Sequence, residues 1–253
     1  MIEQTNDGVH VKNEERKHRR NNRKEKAFLA VARNLMQAEG FNGVTMEKVA
    51  EAADYSRATI YNHFSSKEDL FLALALENLN FRIELLEKAA KFDGNHRERM
   101  CAVGEVSILV YPLQTATEMI LYSSEFKSKT TDPRKKALRK AEIKSYNIPV
   151  EVVKDAIRDG DLNLPRSMNP QEFVFALRSI TYGSSVILNT YGSTDDFKVH
   201  KPLTSIRRAV HALMDGFQWR PLSTELDYKK TLDRIKAEVF PPQTNPFEQT
   251  LLF

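Results

Sequence analysis

The chain has 253 residues, 41% of them apolar and 28% charged, with 9 Gly and 10 Pro. That is enough for one or two domains with a sizeable core, and it excludes collagen-like, low-complexity and wholly disordered classes. A single cysteine, Cys101, excludes a disulfide framework and any multi-cysteine zinc or iron–sulfur site within one chain, so a reducing compartment is expected. No run reaches the roughly 18 to 20 apolar residues that a bilayer requires, and the charged opening sequence lacks the apolar stretch of a secretory signal. A cytoplasmic protein without a membrane partner is expected.

The net charge of +4 is an N-terminal feature. Residues 16–26 hold Arg16, Lys17, Arg19, Arg20, Arg23, Lys24 and Lys26 against Glu25 alone. Such a run is either a polyanion contact or a solvated tail. Residues 1–21 read as a flexible, linker-like basic arm.

Helical signals then follow one another, and strand signals barely occur. Phe28, Val31, Ala32, Leu35 and Met36 have the spacing of an amphipathic helix that Gly40 should stop near Glu39. Thr45 opens a short helix as a lone N-cap, because position 48 is Lys rather than the Glu or Gln of a capping box. Met46, Val49, Ala50 and Ala53 form its apolar side. After Asp54-Tyr55-Ser56 comes RATIYNHF, in which Ile60 and Phe64 stand four apart as one buried face. Ser65 and Glu68 read as a capping box before a long helix to Phe92, whose Leu70–Leu76 stretch is apolar nearly all round.

Two short helices separated by a tight break, the second with a polar outward face, have the shape of a helix-turn-helix. Residues 45–71, TMEKVAEAADYSRATIYNHFSSKEDLF, resemble the DNA-binding head of TetR-family transcriptional regulators. The resemblance is carried by Thr45, Val49-Ala50, Ala53, Ser56, Thr59-Ile60-Tyr61, His63-Phe64, Lys67-Glu68 and Leu70. Two positions depart from it: Asp54 stands where the family usually has Gly, and Tyr55 where it has a small apolar residue. Asp tolerates a left-handed backbone, so the turn can survive. Tyr55 is free to pack over the head or to approach DNA.

Beyond residue 94 the resemblance is one of architecture. Helices are expected at about 95–110, 112–128, 133–159 with an interruption at Pro149, 169–191, 201–219 and 223–239. Gly160 reads as a helix stop and Asn169-Pro170 as a restart. The expected fold is all-α: a three-helix helix-turn-helix head over 22–68 on a larger helical effector-binding and dimerisation body over 69–240, with a tail at 241–253.

DNA reading needs side chains that reach base edges and others that grip phosphate. Arg57 lies at the start of the second short helix, where its guanidinium fork suits guanine O6 and N7. Ser56, Thr59 and Asn62 can bond a base or phosphate, and Ala58 can touch a thymine methyl. The resemblance implies that Tyr61 and His63 contact phosphate, with Thr45 and Lys67 gripping the backbone. The basic arm, Arg16, Lys17, Arg19, Arg20 and Arg23, is placed to reach a neighbouring groove or phosphates.

A helix-turn-helix usually works as a dimer over two half-sites. Phe173, Leu177, Ile180, Ser184, Ile187 and Tyr191 alternate spacings of four and three, as do Leu203, Ile206, Val210, Leu213 and Phe217. Gly183 with Ser184 would allow close helix approach. The resemblance implies that these two helices form a four-helix seam with a second copy. It also implies a body cavity for a small-molecule effector, with candidate lining at Met100, Cys101, Val103, Ile108, Tyr111, Met119, Tyr122, Phe126, Tyr146 and Phe175. The apolar lining points to an apolar or amphipathic effector.

The signatures of an enzyme are missing: there is no HExxH, GxSxG, GxGxxG or Walker A loop, and the six histidines lack ligand spacing. Residues 159–163 superficially suggest a calcium loop but lack its Gly and bidentate Glu, so no metal or cofactor is expected. The sequence reads as a dimeric bacterial repressor on a palindromic operator, released by an effector. A DNA-bound adaptor or architectural factor whose body binds a protein is the second reading, and a helical enzyme the last.

Overall fold

The computed structural model describes residues 6–110, 128–191 and 193–240. These contain nine α-helices: α1 Asn6–Gly43, α2 Met46–Ala52, α3 Arg57–Tyr61, α4 Lys67–Ala90, α5 His96–Val110, α6 Asp132–Arg158, α7 Pro170–Tyr191, α8 Pro202–Gly216 and α9 Tyr228–Val239. Short 3-10 turns cover Asp195–Phe197 and Ser223–Glu225. The fold is all-α, as expected. The helix anticipated at 112–128 and the tail at 241–253 lie outside the described residues. None of the described helices is long and apolar enough to cross a membrane.

The chain forms two compact units, one of residues 1–75 with 121–136 and the other of 76–120 with 137–253. The first unit has Phe28, Val44, Val49, Ile60, Phe64, Leu70 and Phe71 at its centre, all fully buried. Gly40 leaves the helical path with φ 70°, so α1 bends where the glycine stop was expected. Asp54 takes φ 59°, the left-handed conformation the turn requires. Tyr55 is a head residue, its ring 5.2 Å from that of Phe28.

Three local expectations are corrected. The basic arm is not an irregular linker: the chain is helical from Asn6, because KNEERKHRR and RKEKA are rich in strong helix formers. The cap of α4 is Ser66 rather than Ser65: Ser66 Oγ accepts from Asp69 N at 3.0 Å, while the Asp69 carboxylate accepts from Ser65 N at 3.2 Å. Pro149 does not interrupt α6, which continues to Arg158 with Pro149 and Val150 buried.

In the second unit, α5 packs against α7 and α9, and α7 packs against α8. The core includes Phe173, Val153, Met214, Trp219 and Ile235, all fully buried. Two charged side chains of α5 enter this core with partners. Arg97 donates to Trp219 O at 2.6 Å and pairs with Asp215 at 2.7 Å. Glu105 accepts two bonds from Arg207 and one from the Tyr228 hydroxyl, each 2.7 Å. Burial, followed by the Glu105 charge, pushes the Tyr228 hydroxyl pKa upward. Gly160, at φ 84°, ends α6 as expected, and Asn169 and Glu172 cap α7 reciprocally at 2.9 and 2.7 Å.

Candidate nucleic-acid interface

The helix-turn-helix is built from two capped helices on a shared core. Thr45 Oγ1 accepts from Lys48 N at 3.2 Å to start α2, and Ser56 Oγ accepts from Thr59 N at 3.2 Å to start α3. Ile60 and Phe64 are fully buried, so α3 is rotationally fixed about its axis. The residues around them face out: Arg57, Ala58, Tyr61 and Asn62 are exposed, and Thr59 is half-buried with its hydroxyl 2.8 Å from Ser56 Oγ.

The Arg57 side chain is 70% exposed, pairs with Glu47 of α2 at 2.9 Å, and lies 5.5 Å from the Tyr61 ring centroid. His63 sits edge-on to Phe28 at 5.6 Å. Burial holds its pKa below the usual imidazole value; Glu25 opposes this, and Lys24 and Arg134 add to it. Burial thus favours the neutral imidazole in the free chain, and either ring N–H could donate to a phosphate.

Lys67 is already engaged. Its ammonium donates to Phe41 O at 2.5 Å and lies 4.1 Å from the Phe41 ring centroid, and burial lowers its pKa. It thus ties the start of α4 to the end of α1. Lys48, read from sequence only as a residue that spoils a capping box, donates to Gly43 O at 3.1 Å and pairs with Glu39 at 2.5 Å.

Arg16, Arg19, Arg20 and Arg23 are exposed on the helical extension of α1. Their spacing of three, four and seven residues places them on one helix face. The Lys17 side chain lies outside the described residues. A basic stripe with fixed spacing therefore leads into the head.

The head contains a polar network that sequence reasoning missed. Asp69, 1% exposed, accepts from Thr131 Oγ1 at 2.9 Å, Thr131 N at 3.3 Å and Arg134 Nε at 3.3 Å. Arg134 also donates to Glu25 at 3.0 Å and to His63 O at 3.2 Å. These partners are 62 to 109 residues apart in sequence, beyond any local pattern. Asp69 itself follows Lys67 and Glu68 at the polar start of α4, just before the apolar Leu70–Leu76 run, where nothing local marks it as buried.

In the other unit, a cavity of about 30 Å³ is lined by residues including Leu86, Met100, Val103, Ser145, Pro149 and Leu177. Met100 and Val103 were expected lining. Cys101 and Ile108 are buried in the core and do not line this cavity; the Cys101 thiol is pushed up to about 12 by burial. Tyr146 donates to Gln171 O at 2.7 Å, and Phe175 is 65% exposed. Tyr111, Met119, Tyr122 and Phe126 lie outside the described residues.

The expected dimer seam needs correction at its centre. Phe173, Leu177, Ile206 and Val210 are buried within the single chain, and Phe217 stacks edge-on to Phe173 at 5.1 Å. Their alternating spacing joins α7 to α8. Ile180, Gly183, Ser184, Leu203 and Leu213 are half-buried, and Ile187 is exposed.

Residues 28–74 match the family model described as bacterial regulatory proteins, tetR family. The chain is 27% identical over 140 residues to the HTH-type transcriptional regulator QacR of Staphylococcus aureus, covering 54% of this chain and 70% of that protein. It is 43% identical over 51 residues to the HTH-type transcriptional repressor AcnR of Corynebacterium glutamicum, a match that spans only 20% of this chain and 27% of AcnR. A crystal structure of a tetR-family bacterial regulatory protein from Rhodococcus RHA1 superposes with a TM-score of 0.58 at 15% identity, covering 77% of this chain and 96% of that one. The family match falls on the helices whose caps and outward face are described above. Residues 28–74 thus form a helix-turn-helix head similar to that of the tetR family of bacterial regulatory proteins, and the chain is similar to DNA-binding transcriptional regulators that carry it.

Proposed function

We propose that the protein is a cytoplasmic, nucleoid-associated repressor that binds a palindromic operator as a homodimer and leaves it when a small apolar or amphipathic effector binds the body. The observation that carries the reading is the outward face of α3. Arg57, Ala58, Tyr61 and Asn62 are exposed on a helix that Ile60 and Phe64 hold in one orientation. In this reading Arg57 meets a base edge, Thr59 and Asn62 bond bases or phosphate, Ala58 touches a thymine methyl, and Ser56, Tyr61 and His63 position the backbone. Thr45 and Lys67 support the same contacts from the starts of α2 and α4, and the stripe Arg16, Arg19, Arg20 and Arg23, with Lys17, adds sequence-independent affinity.

Pairing is supported by what remains exposed on α7 and α8. Phe175, Ile187 and Tyr191 are more than half exposed on α7, and Ser205, Arg208, Ala209 and Ala212 are exposed on α8. A large apolar side chain beside small ones suits close contact with a second copy. A dimer on a promoter blocks polymerase by occupying its path, and this is the basis for preferring repression.

Effector release asks more of the body. A cavity of about 30 Å³ is far below the roughly 300 Å³ of a ligand pocket, so an effector would have to open it. The adaptor reading draws support from the apolar groove of about 280 Å³ lined by Ile187, Leu188, Tyr191, Phe197 and Val199. Selection of bound sequences from a random pool of duplexes tests the DNA reading. Enrichment of a two-fold symmetric site supports a dimeric operator binder, and an unenriched pool refutes it.

A further inference from the structure

We propose that Arg134 is a positioning residue for DNA reading, fixing the C-terminal end of the recognition helix α3 from behind. The inference rests on the reading of α3 as the DNA probe, and Arg134 itself touches no base. Its guanidinium donates to Glu25 Oε1 of α1 at 3.0 Å, to Asp69 Oδ2 of α4 at 3.3 Å and to His63 O just past α3 at 3.2 Å, and lies 4.8 Å from the Phe64 ring centroid. One side chain thus joins the helices on either side of the helix-turn-helix to the end of the probe.

The physical need follows from the length of α3. With five residues, Arg57–Tyr61, it has almost no internal hydrogen-bond ladder to hold its axis. Its direction depends on anchors at its two ends. Ser56 caps the start, and Ile60 and Phe64 enter the core, but the carbonyl of His63 at the far end is tied by Arg134. Arg134 is held in turn, because Asp69 is 1% exposed and accepts from Ser65 N, Thr131 N and Thr131 Oγ1 as well as from Arg134. A planar fork can serve three acceptors in fixed directions, which a lysine ammonium on a flexible stem cannot. Base recognition by Arg57 demands placement within about 0.5 Å, so removal of the rear anchor blurs sequence readout while leaving charge attraction to phosphate intact.

The test compares the full chain with Arg134→Lys by equilibrium titration against two duplexes of equal length, one enriched by the wild type from a random pool and one of random sequence. Thermal unfolding is followed in parallel. Affinity of the variant for the enriched duplex should fall about tenfold, within the value of one bidentate base contact, while affinity for the random duplex stays within about twofold. Equal losses on both duplexes, or no loss on either, would overturn the proposal and leave Arg134 a purely structural residue. If Arg134→Lys does not fold, Glu25→Gln keeps the Arg134–Asp69 pair and should shift the ratio in the same direction by about threefold, with an unchanged ratio counting against the proposal. A wild type that enriches no sequence would instead overturn the reading of α3 itself. A wild type that discriminates, with variants that discriminate equally well, overturns only the role of Arg134.

Discussion

Arg57 and Glu47 are joined at 2.9 Å across the helix-turn-helix, linking the first residue of α3 to the second residue of α2. Both side chains are solvated, so the pair contributes little to stability. Its consequence is orientation: the carboxylate holds the guanidinium of the proposed base reader and, in that reading, places a negative charge near the DNA. Glu47→Gln should therefore raise affinity for random-sequence duplex by about twofold to fivefold and lower the preference for the enriched one. Titration of both duplexes at fixed salt checks this, and an unchanged ratio would separate Glu47 from readout.

The helical basic stripe makes a second prediction. Removing residues 1–21 takes away Arg16, Lys17, Arg19 and Arg20, and should flatten the dependence of log affinity on log salt by about 0.9 for each phosphate that the shortened chain no longer neutralises. Enriched and random duplexes should lose affinity alike, since phosphate carries no sequence. A salt series on the truncated chain that reproduces the wild-type slope would reduce the stripe to a solvated extension.

How much of this was legible before folding depends on the distance between partners. The expected helix at 169–191 is found at Pro170–Tyr191, because its cap, its proline and its periodicity are all local signals. The positive φ of Asp54 was likewise readable from one residue beside a turn. Arg134 was not, because its partners Glu25, His63 and Asp69 come from elsewhere in the chain. The seam residues Phe173, Leu177, Ile206 and Val210 expose a different limit: a spacing of four and three describes a helix partner without saying whose helix it is. Charge density suggested a flexible arm, whereas the helix-forming residues between those charges continue α1.

Acid sensitivity should come from His211. It lies between the Arg97 guanidinium, at 3.3 Å, and the Tyr228 ring, at 4.5 Å, with Asp215 and Glu105 nearby. Burial first, then Arg97, lowers its pKa, with Asp215 and Glu105 opposing. The unfolded chain therefore binds this proton more tightly than the folded one. Its stabilising contribution is fully present above the unfolded value of 6.5 and is lost as pH falls below it. His63 shifts in the same direction and adds to the effect. Thermal unfolding at about pH 7.5 and about pH 5.5 should show a drop in midpoint that His211→Gln makes smaller. An identical drop in the variant would assign the effect elsewhere.

The most direct test of the outward face of α3 is the ratio of dissociation constants for Arg57→Ala and wild type on enriched and random duplexes. The loss on the enriched duplex should be about 1 to 3 kcal/mol, with relaxed preference at one base pair of each half-site and little change on the random duplex. Equal losses on the two duplexes would contradict the assignment of Arg57 as the base reader, and with it the account of how this head recognises its site.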